Sequence, residues 1–415
     1  MQRKIIIILL CWFIKSLFAQ TNSFRQFNHG IKIDKDYIYL NEVKFLIKGI
    51  SYNPYYPGER NGLDFKKANF QLDIQLIKKA NINTVMLYWI RPLKIYELCR
   101  QYDIKIMQGI VVPETEDYQN ERFKKQVKKS IKYLVDYIHR HNFSDLIMAY
   151  FIGGEFDPLS IKTSNRKNKT KENYPSENFQ VDRKLNSVEN FLLEMADYLK
   201  TYEMTNYQVS HIVSHIHWPY AEKDMKIDFL DMAMFDIYSF WPPEVSHYHG
   251  GSFTQTSYQG YIEYIKSKYK NIPVFISEFG YSTAPQDDTI SVDEKTQAYG
   301  LVERWIDILT SSRPLAGGSV FEYNDEWWKQ AKAAEFVGFD KDPQFHDKDD
   351  AEEWFGIISI DGPSYRTYDV RPKMAYEYVK NMYSPEFNAF EFYKKLSETG
   401  GEDKKDIDHD IKGGK

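Results

Sequence analysis

AYFIGGEFDP at 149–158 runs from a short apolar segment through two glycines to Glu155, and VFISEFGYS at 274–282 follows the same pattern around Glu278. An unbroken apolar run bounded by turn residues reads as a strand buried on both faces. In a closed barrel of parallel strands, functional side chains sit just past the C-terminal strand ends, and both carboxylates fall there.

Outward from these two, further strand stretches appear at FLIKGIS 45–51, INTVMLY 82–88, IKIMQGIVV 104–112, YQVSHIVSH 207–215, DMAMFDIY 231–238 and GGSVFEY 317–323. With LIMAYFIGG and IPVFISE the strands number eight. Segments between them, such as 70–80, 127–140, 188–202, 261–269 and 296–310, repeat apolar residues every three or four positions, as helices do. This alternation predicts an α/β fold, a (β/α)8 TIM barrel. An open doubly wound sheet competes, but no Gly-rich phosphate turn follows any strand.

KIDKDYIYLNEVKFLIKG at 32–49 alternates apolar and polar residues around Asn41-Glu42 and predicts a two-stranded hairpin leading into the first barrel strand. Long loops are expected after strands 4 and 8. The first, 159–185, is polar and basic and reads as a solvated, partly mobile excursion; the second, 324–368, is rich in aromatics.

Residues 1–20 place Arg3 and Lys4 before an apolar run that Lys15 interrupts after about ten residues. That is half of the roughly 20 needed to span a bilayer, so a cleaved signal peptide is expected, with export of the chain and no lasting membrane span. The barrel is assigned to 21–385 and a polar disordered tail to 386–415. Without the leader only Cys99 remains, so no internal disulfide is available. Asn142-Phe-Ser144 and Asn168-Lys-Thr170 are potential glycan acceptors, the second in the more polar setting. A net charge of -5, from 54 basic and 59 acidic side chains, offers no basic field for nucleic acid.

Cleaving a glycosidic bond requires one carboxylic acid to protonate the leaving oxygen and a second carboxylate to attack the anomeric carbon or activate water. Glu155 and Glu278, on strands four and seven, meet that demand if they converge at the barrel mouth. FLIKGISYNPYYPGE, INTVMLYWIRP, AYFIGGE and PVFISEFG resemble the first, second, fourth and seventh strands of clan A retaining glycoside hydrolases, over about residues 33–380. GGSVFEYNDEWWK and PVFISEFGY are similar to stretches of the β-1,3-glucanosyltransferases and of the barrel domain of family two hydrolases. The resemblance implies that Glu155 is the acid/base, Glu278 the nucleophile and Tyr238 a hydrogen-bond donor to Glu278. It also implies an Asn before the acid/base, where this chain has Gly154; loss of that contact with the sugar 2-hydroxyl would weaken catalysis.

The expected substrate-binding set is Tyr52, Arg91, His215, Tyr238, Trp241, Glu322 and Trp327. Arg91 could hold Glu278 ionised, His215 or its neighbour His217 could touch a sugar hydroxyl, and the tryptophans could stack on sugar rings. His215 and His217 lack companion ligands at other strand ends, so neither a metal nor a cofactor is expected. The partner is an oligo- or polysaccharide. A glucanosyltransferase and a catalytically weak carbohydrate-binding barrel are the alternatives.

Overall fold

The computed structural model describes residues 25–56, 65, 68–113, 117–170, 172–238, 245, 248, 251–284, 293–330, 338–339, 350–364 and 367–394. Its centre is a parallel sheet of β5 (Ile47–Ser51), β6 (Thr84–Leu87), β7 (Lys105–Ile110), β8 (Ile147–Ile152), β9 (Ile212–Ser214), β10 (Ile216–His217), β11 (Ala233–Asp236), β12 (Val274–Phe279) and β13 (Gly317–Val320). β13 pairs with β5, β8 with β9 and β10 with β11. Only His215 separates β9 from β10, so the sheet returns on itself through one interrupted strand, and all eight expected strands are present in an α/β TIM-type barrel.

Ahead of the barrel lie β1 (Arg25–Gln26), β2 (Ile31–Ile33), β3 (Ile38–Leu40) and β4 (Val43–Lys44). They form a four-stranded antiparallel sheet, larger than the predicted hairpin. Asn41 and Glu42 make the expected two-residue turn, both with positive φ as the mirror-image hairpin turns require. The extra strands follow from apolar content: Phe27, Ile31, Ile33 and Ile38 are buried in one cluster with Ile47, Met232 and Ala316 at the starts of barrel strands. That end of the barrel is thereby closed, and the opposite end is left for chemistry.

Among the described residues the helices are α1 (Phe70–Lys79), α2 (Leu93–Gln101), α3 (Glu121–Arg140), α4 (Pro158–Lys167), α5 (Ser187–Tyr207), α6 (Ser257–Lys268), α7 (Glu294–Leu309) and α8 (Met374–Met382). α3 begins where the Asn120 side chain accepts from the amides of Arg122 and Phe123, and it buries Val127, Ile131, Leu134 and Ile138 at alternating spacings of four and three. A capping box between Asn186 and Glu189 starts α5.

The segment 159–185, expected to be solvated, is instead folded onto the barrel. α4 opens it, Ile161, Phe179 and Leu185 are buried, and Asp197 of α5 accepts hydrogen bonds from Ser176, Glu177 and Asn178. A polar composition here serves hydrogen bonding to α5, not solvation. Asn168 donates to Asp117 Oδ1 at 2.7 Å, whereas Asn142 is exposed, so the structure favours Asn142 over Asn168 as the reachable acceptor.

After β13 come β14 (Lys329–Gln330), β15 (Gly338–Phe339), β16 (Ile358–Ser364) and β17 (Thr367–Pro372). A buried ion pair, Lys373 to Asp325 at 2.7 Å, ties the end of this excursion to its beginning. The packed chain reaches past the expected boundary at 385: Phe387, Phe392 and Tyr393 lie against the core, and the Tyr393 hydroxyl donates to the Thr254 carbonyl. The expected leader, 1–20, lies outside the described residues. No helix among those described is long and apolar enough to cross a membrane.

Candidate active site

Glu155 follows a sharp turn at the end of β8. Gly153 adopts φ +71°, and a Cβ there would meet the Phe156 ring at 2.6 Å, so only glycine fits. Gly154 is exposed, and a Cβ built on it meets nothing within 4 Å. Asp157 then caps α4 by accepting from the Ser160 amide, which fixes the chain on the far side of Glu155.

Glu278 lies within β12, where the pairing with β11 slips between Phe235 and Asp236 and sets Asp236 opposite Glu278. Such irregularities re-aim side chains beside active sites. Two phenols clamp the carboxylate: Tyr238 donates to Oε2 at 2.6 Å and Tyr88, at the end of β6, donates to Oε1. Ser51 lies 3.1 Å from the Tyr88 hydroxyl and, since that proton is engaged with Glu278, serves as donor. Glu155 lies close enough to Glu278 and Asp236 for their charges to act on one another. The residues separated in sequence are thus brought near each other at one end of the barrel.

Burial, reinforced by the charge of Glu278, raises the Glu155 carboxyl to about 8. Burial also raises Glu278, to about 7, against the pull of the Tyr238 and Tyr88 hydrogen bonds and the charge of Lys329. The charge of Lys329 acts on both glutamates. Its ammonium lies 2.8 Å from Glu326 Oε2 and 2.7 Å from Glu352 Oε2; despite burial, these charges hold it well above its ordinary range.

The other expected residues divide. Tyr238 makes the expected hydrogen bond to Glu278. Arg91 is buried, but its guanidinium donates to Asn53 and Tyr55 rather than to Glu278. Asn53 in turn donates to Glu326 at 2.9 Å and Glu322 at 3.4 Å, so Arg91 reaches the site only through intermediaries. Glu322 is fully buried, and burial with the Glu326 charge pushes its carboxyl well above the usual range.

Tyr52 is wholly buried and donates to Asp73 Oδ2 at 2.9 Å, alongside Tyr323, so it packs behind the site and cannot face a sugar. His215 is buried between β9 and β10, with Nδ1 2.8 Å from the Ile152 carbonyl and its ring against Phe156; burial lowers it to about 4. It braces the strand that carries Glu155. Trp327 is half-buried, while Trp328 is buried edge-on against Tyr55. Trp354 pins the last loop, its carbonyl accepting from Thr283 and Lys373. Trp241 lies outside the described residues. Among those described, no group of three or more His, Cys, Asp or Glu is arranged to hold a metal ion.

Sequence reasoning did not single out Tyr88, Asp236, Asn53, Glu326 or Lys329. Tyr88 shares the face of Met86 by alternation, and Asp236 is a charged residue in an apolar run, so both carried a signal. Lys329 and Glu326 sit on a loop and carried none.

No family model matches the sequence, and no curated protein matches it. Among solved structures, a GH2 beta-galacturonidase from Eisenbergiella tayi is 18% identical over 85% of this chain and 53% of its own, with a TM-score of 0.57. The beta-glucuronidase of Ruminococcus gnavus is 15% identical over 86% of this chain and 52% of its own, with a TM-score of 0.60. The chain thus spans about half the length of these proteins. At such identity the shared property is the barrel fold.

Proposed function

We propose that this chain is a secreted, retaining β-glycosidase. The observation that carries the reading is the unequal treatment of two carboxyls at one end of the barrel: Glu278 receives two phenolic hydrogen bonds, while burial and the charges of Glu278 and Glu352 act against ionisation of Glu155. Hydrogen bonds to the charged form favour an ionised nucleophile, and burial without a donor cation favours a protonated acid.

In the first step a Glu278 oxygen bonds to the anomeric carbon as the bond to the aglycone oxygen breaks, and that oxygen takes the Glu155 proton. In the second, Glu155 takes a proton from water, whose oxygen displaces Glu278. The proton ledger closes over the cycle. A sugar hydroxyl in place of that water would give transglycosylation, the glucanosyltransferase alternative, seen as chain elongation of an oligosaccharide acceptor. Export rests on the leader-like residues 1–20.

The named neighbours act on uronosides, but here Lys329 is already held between Glu326 and Glu352, with Glu322 close by. These surroundings favour a neutral glycon. Trapping with 2-deoxy-2-fluoro β-glycosides, both neutral and uronic, tests the reading: peptide mass analysis should find the label on Glu278 from a neutral sugar. Labelling elsewhere, or none from any member of the panel, refutes it.

Two further results are expected. Turnover should follow a narrow bell, falling below about 7 as Glu278 gains a proton and above about 8 as Glu155 loses its own. A kcat/KM profile flat between pH 5 and 9 would contradict this assignment. The Gly154→Asn variant should raise kcat/KM by ~10-fold by supplying a 2-hydroxyl contact. Open space around the position leaves room for the side chain, and circular dichroism should be unchanged. A loss of activity with intact fold would show that a different donor already serves that hydroxyl.

A further inference from the structure

We propose that Tyr88, held by Ser51, is a positioning residue that takes the place of a cation on Glu278 and assists release of the sugar from that carboxyl. The inference rests on the reading of Glu278 as the nucleophile. Among the described residues, no Lys, Arg or His forms an ion pair with Glu278. Arg91, expected to hold it ionised, donates instead to Asn53 and Tyr55, and Lys329 is engaged by Glu326 and Glu352. The side-chain donors on Glu278 are hydroxyls, Tyr238 on Oε2 and Tyr88 on Oε1. They arrive from different sides, since β11 adjoins β12 whereas β6 stands beyond β13 and β5. With one donor on each oxygen, the carboxylate cannot turn about its last bond without losing both.

The aim of Tyr88 is set by its neighbours. Its ring lies edge-on to Phe151, with centroids 5.8 Å apart. A Cβ at Gly109 would meet the Tyr88 carbonyl oxygen at 2.5 Å and the Phe151 ring at 2.7 Å, so this close approach requires glycine. Ser51 is fully buried, and its hydroxyl lies 3.1 Å from that of Tyr88. Ser51 is itself pinned: it pairs with Met86 in register, and its carbonyl accepts from the Tyr323 amide at 3.0 Å. A phenol that accepts from Ser51 is a stronger donor to Glu278, because chained hydrogen bonds polarise one another.

A donor to this carboxylate acts differently on the two steps. During attack Glu278 gives up charge to the bond with the anomeric carbon, so stabilising the free anion brings no net gain. During release a water oxygen bonds to the anomeric carbon, its proton passes to Glu155, and the electron pair of the breaking bond returns to Glu278. Charge grows on the oxygens there, and a phenol already in place stabilises it. In the free protein the same bond favours the charged form, together with Tyr238 and the Lys329 charge and against burial and the Glu326 charge. Asp236 stands opposite Glu278 in register, and Glu155 is close enough for the two glutamate charges to act on each other.

Tyr88→Phe removes only the hydroxyl and keeps the ring against Phe151. On a dinitrophenyl glycoside, whose leaving group needs no proton, kcat reports release from Glu278. There the variant should lose roughly 10- to 100-fold in kcat, the size of a lost hydrogen bond to a charge. Its kcat/KM at the pH optimum should stay within ~5-fold of wild type, so KM should fall. A burst of dinitrophenolate should precede steady turnover. Ser51→Ala should act in the same sense by a smaller factor. An unchanged kcat in either variant, or equal losses in kcat and kcat/KM, would overturn the proposal.

A spectroscopic arm separates this from failure of the glycosidase reading. The infrared difference against Glu278→Gln, followed through pH, isolates the titration of Glu278 in wild type and in the Tyr88→Phe background. The midpoint should move upward by roughly one pH unit in Tyr88→Phe, because the carboxylate loses a donor. An unmoved midpoint overturns the proposal whether or not the protein turns over; an upward shift in a protein without turnover sustains the hold of Tyr88 on Glu278 and refutes the glycosidase reading alone.

Discussion

Replacing Glu278 by glutamine is expected to lower kcat by at least ~10⁴-fold while leaving the fold intact, the scale seen when a nucleophile acting in a concerted unit is removed. The fold should survive because the amide matches the carboxylate in shape, and its carbonyl still accepts from one of Tyr88 and Tyr238. The other phenol then meets an NH2 group, a mismatch of about 1–3 kcal/mol, which thermal unfolding should detect. Shortening the side chain to glycine opens the face from which Glu278 would attack. With a dinitrophenyl glycoside, azide should occupy that space, bond to the anomeric carbon and expel the phenolate, restoring turnover with an inverted glycosyl azide as product. The same anion added to Glu155→Ala should give the azide of retained configuration, because there the glycosyl-Glu278 bond forms first. A Glu278→Gln enzyme within tenfold of wild type would remove this residue from the chemistry.

The sequence made the barrel legible because its strands are buried on both faces and so appear as unbroken apolar runs. The fifth strand illustrates the limit: YQVSHIVSH was recognisable as a strand, but its interruption at His215 depends on a bond to the Ile152 carbonyl across the sheet. The two glutamates were legible from position alone, since strand ends in a barrel are where side chains meet. Tyr52 also follows a strand, yet Asp73 of α1 takes its hydroxyl and turns it into the wall. Nothing local to NPYY announces a helix carboxylate some twenty positions away. The mouth around Lys329 was invisible for a related reason. Its place is set by Glu326 beside it and Glu352 across the long loop, a contact between distant segments that no periodicity encodes. In 159–185 composition suggested solvation, because single apolar anchors such as Ile161 and Phe179 are diluted by the Asn and Ser side chains that bind α5.

The largest effect on stability is expected far from the chemistry, at Glu203. Its fully buried carboxylate lies 2.7 Å from His211 Nδ1 and 2.9 Å from His139 Nε2, and accepts from the His211 amide. His211 Nε2 lies 3.0 Å from the Ser144 carbonyl. Glu203→Gln would remove the charged centre of this buried network, and breaking such a buried pair costs about 3–5 kcal/mol. From the unfolding entropy of a chain this long, Tm should fall by roughly 4–6 °C. Burial alone would raise the Glu203 carboxyl, but the His211 and His139 charges and hydrogen bonds outweigh it and hold it at about 2, below the ordinary 4.5. Because the folded value is depressed, the stabilisation is complete above 4.5 and disappears as pH falls through about 2. Calorimetry should therefore find the gap between wild type and variant wide at pH 7 and nearly closed near pH 2. A variant that melts with wild type at pH 7 would refute the account. The network joins α3, α5 and the start of β9, while His29 of the N-terminal segment stacks on His211. It secures the fifth strand at the end opposite Glu155, so the variant should lose heat resistance yet keep its turnover at low temperature.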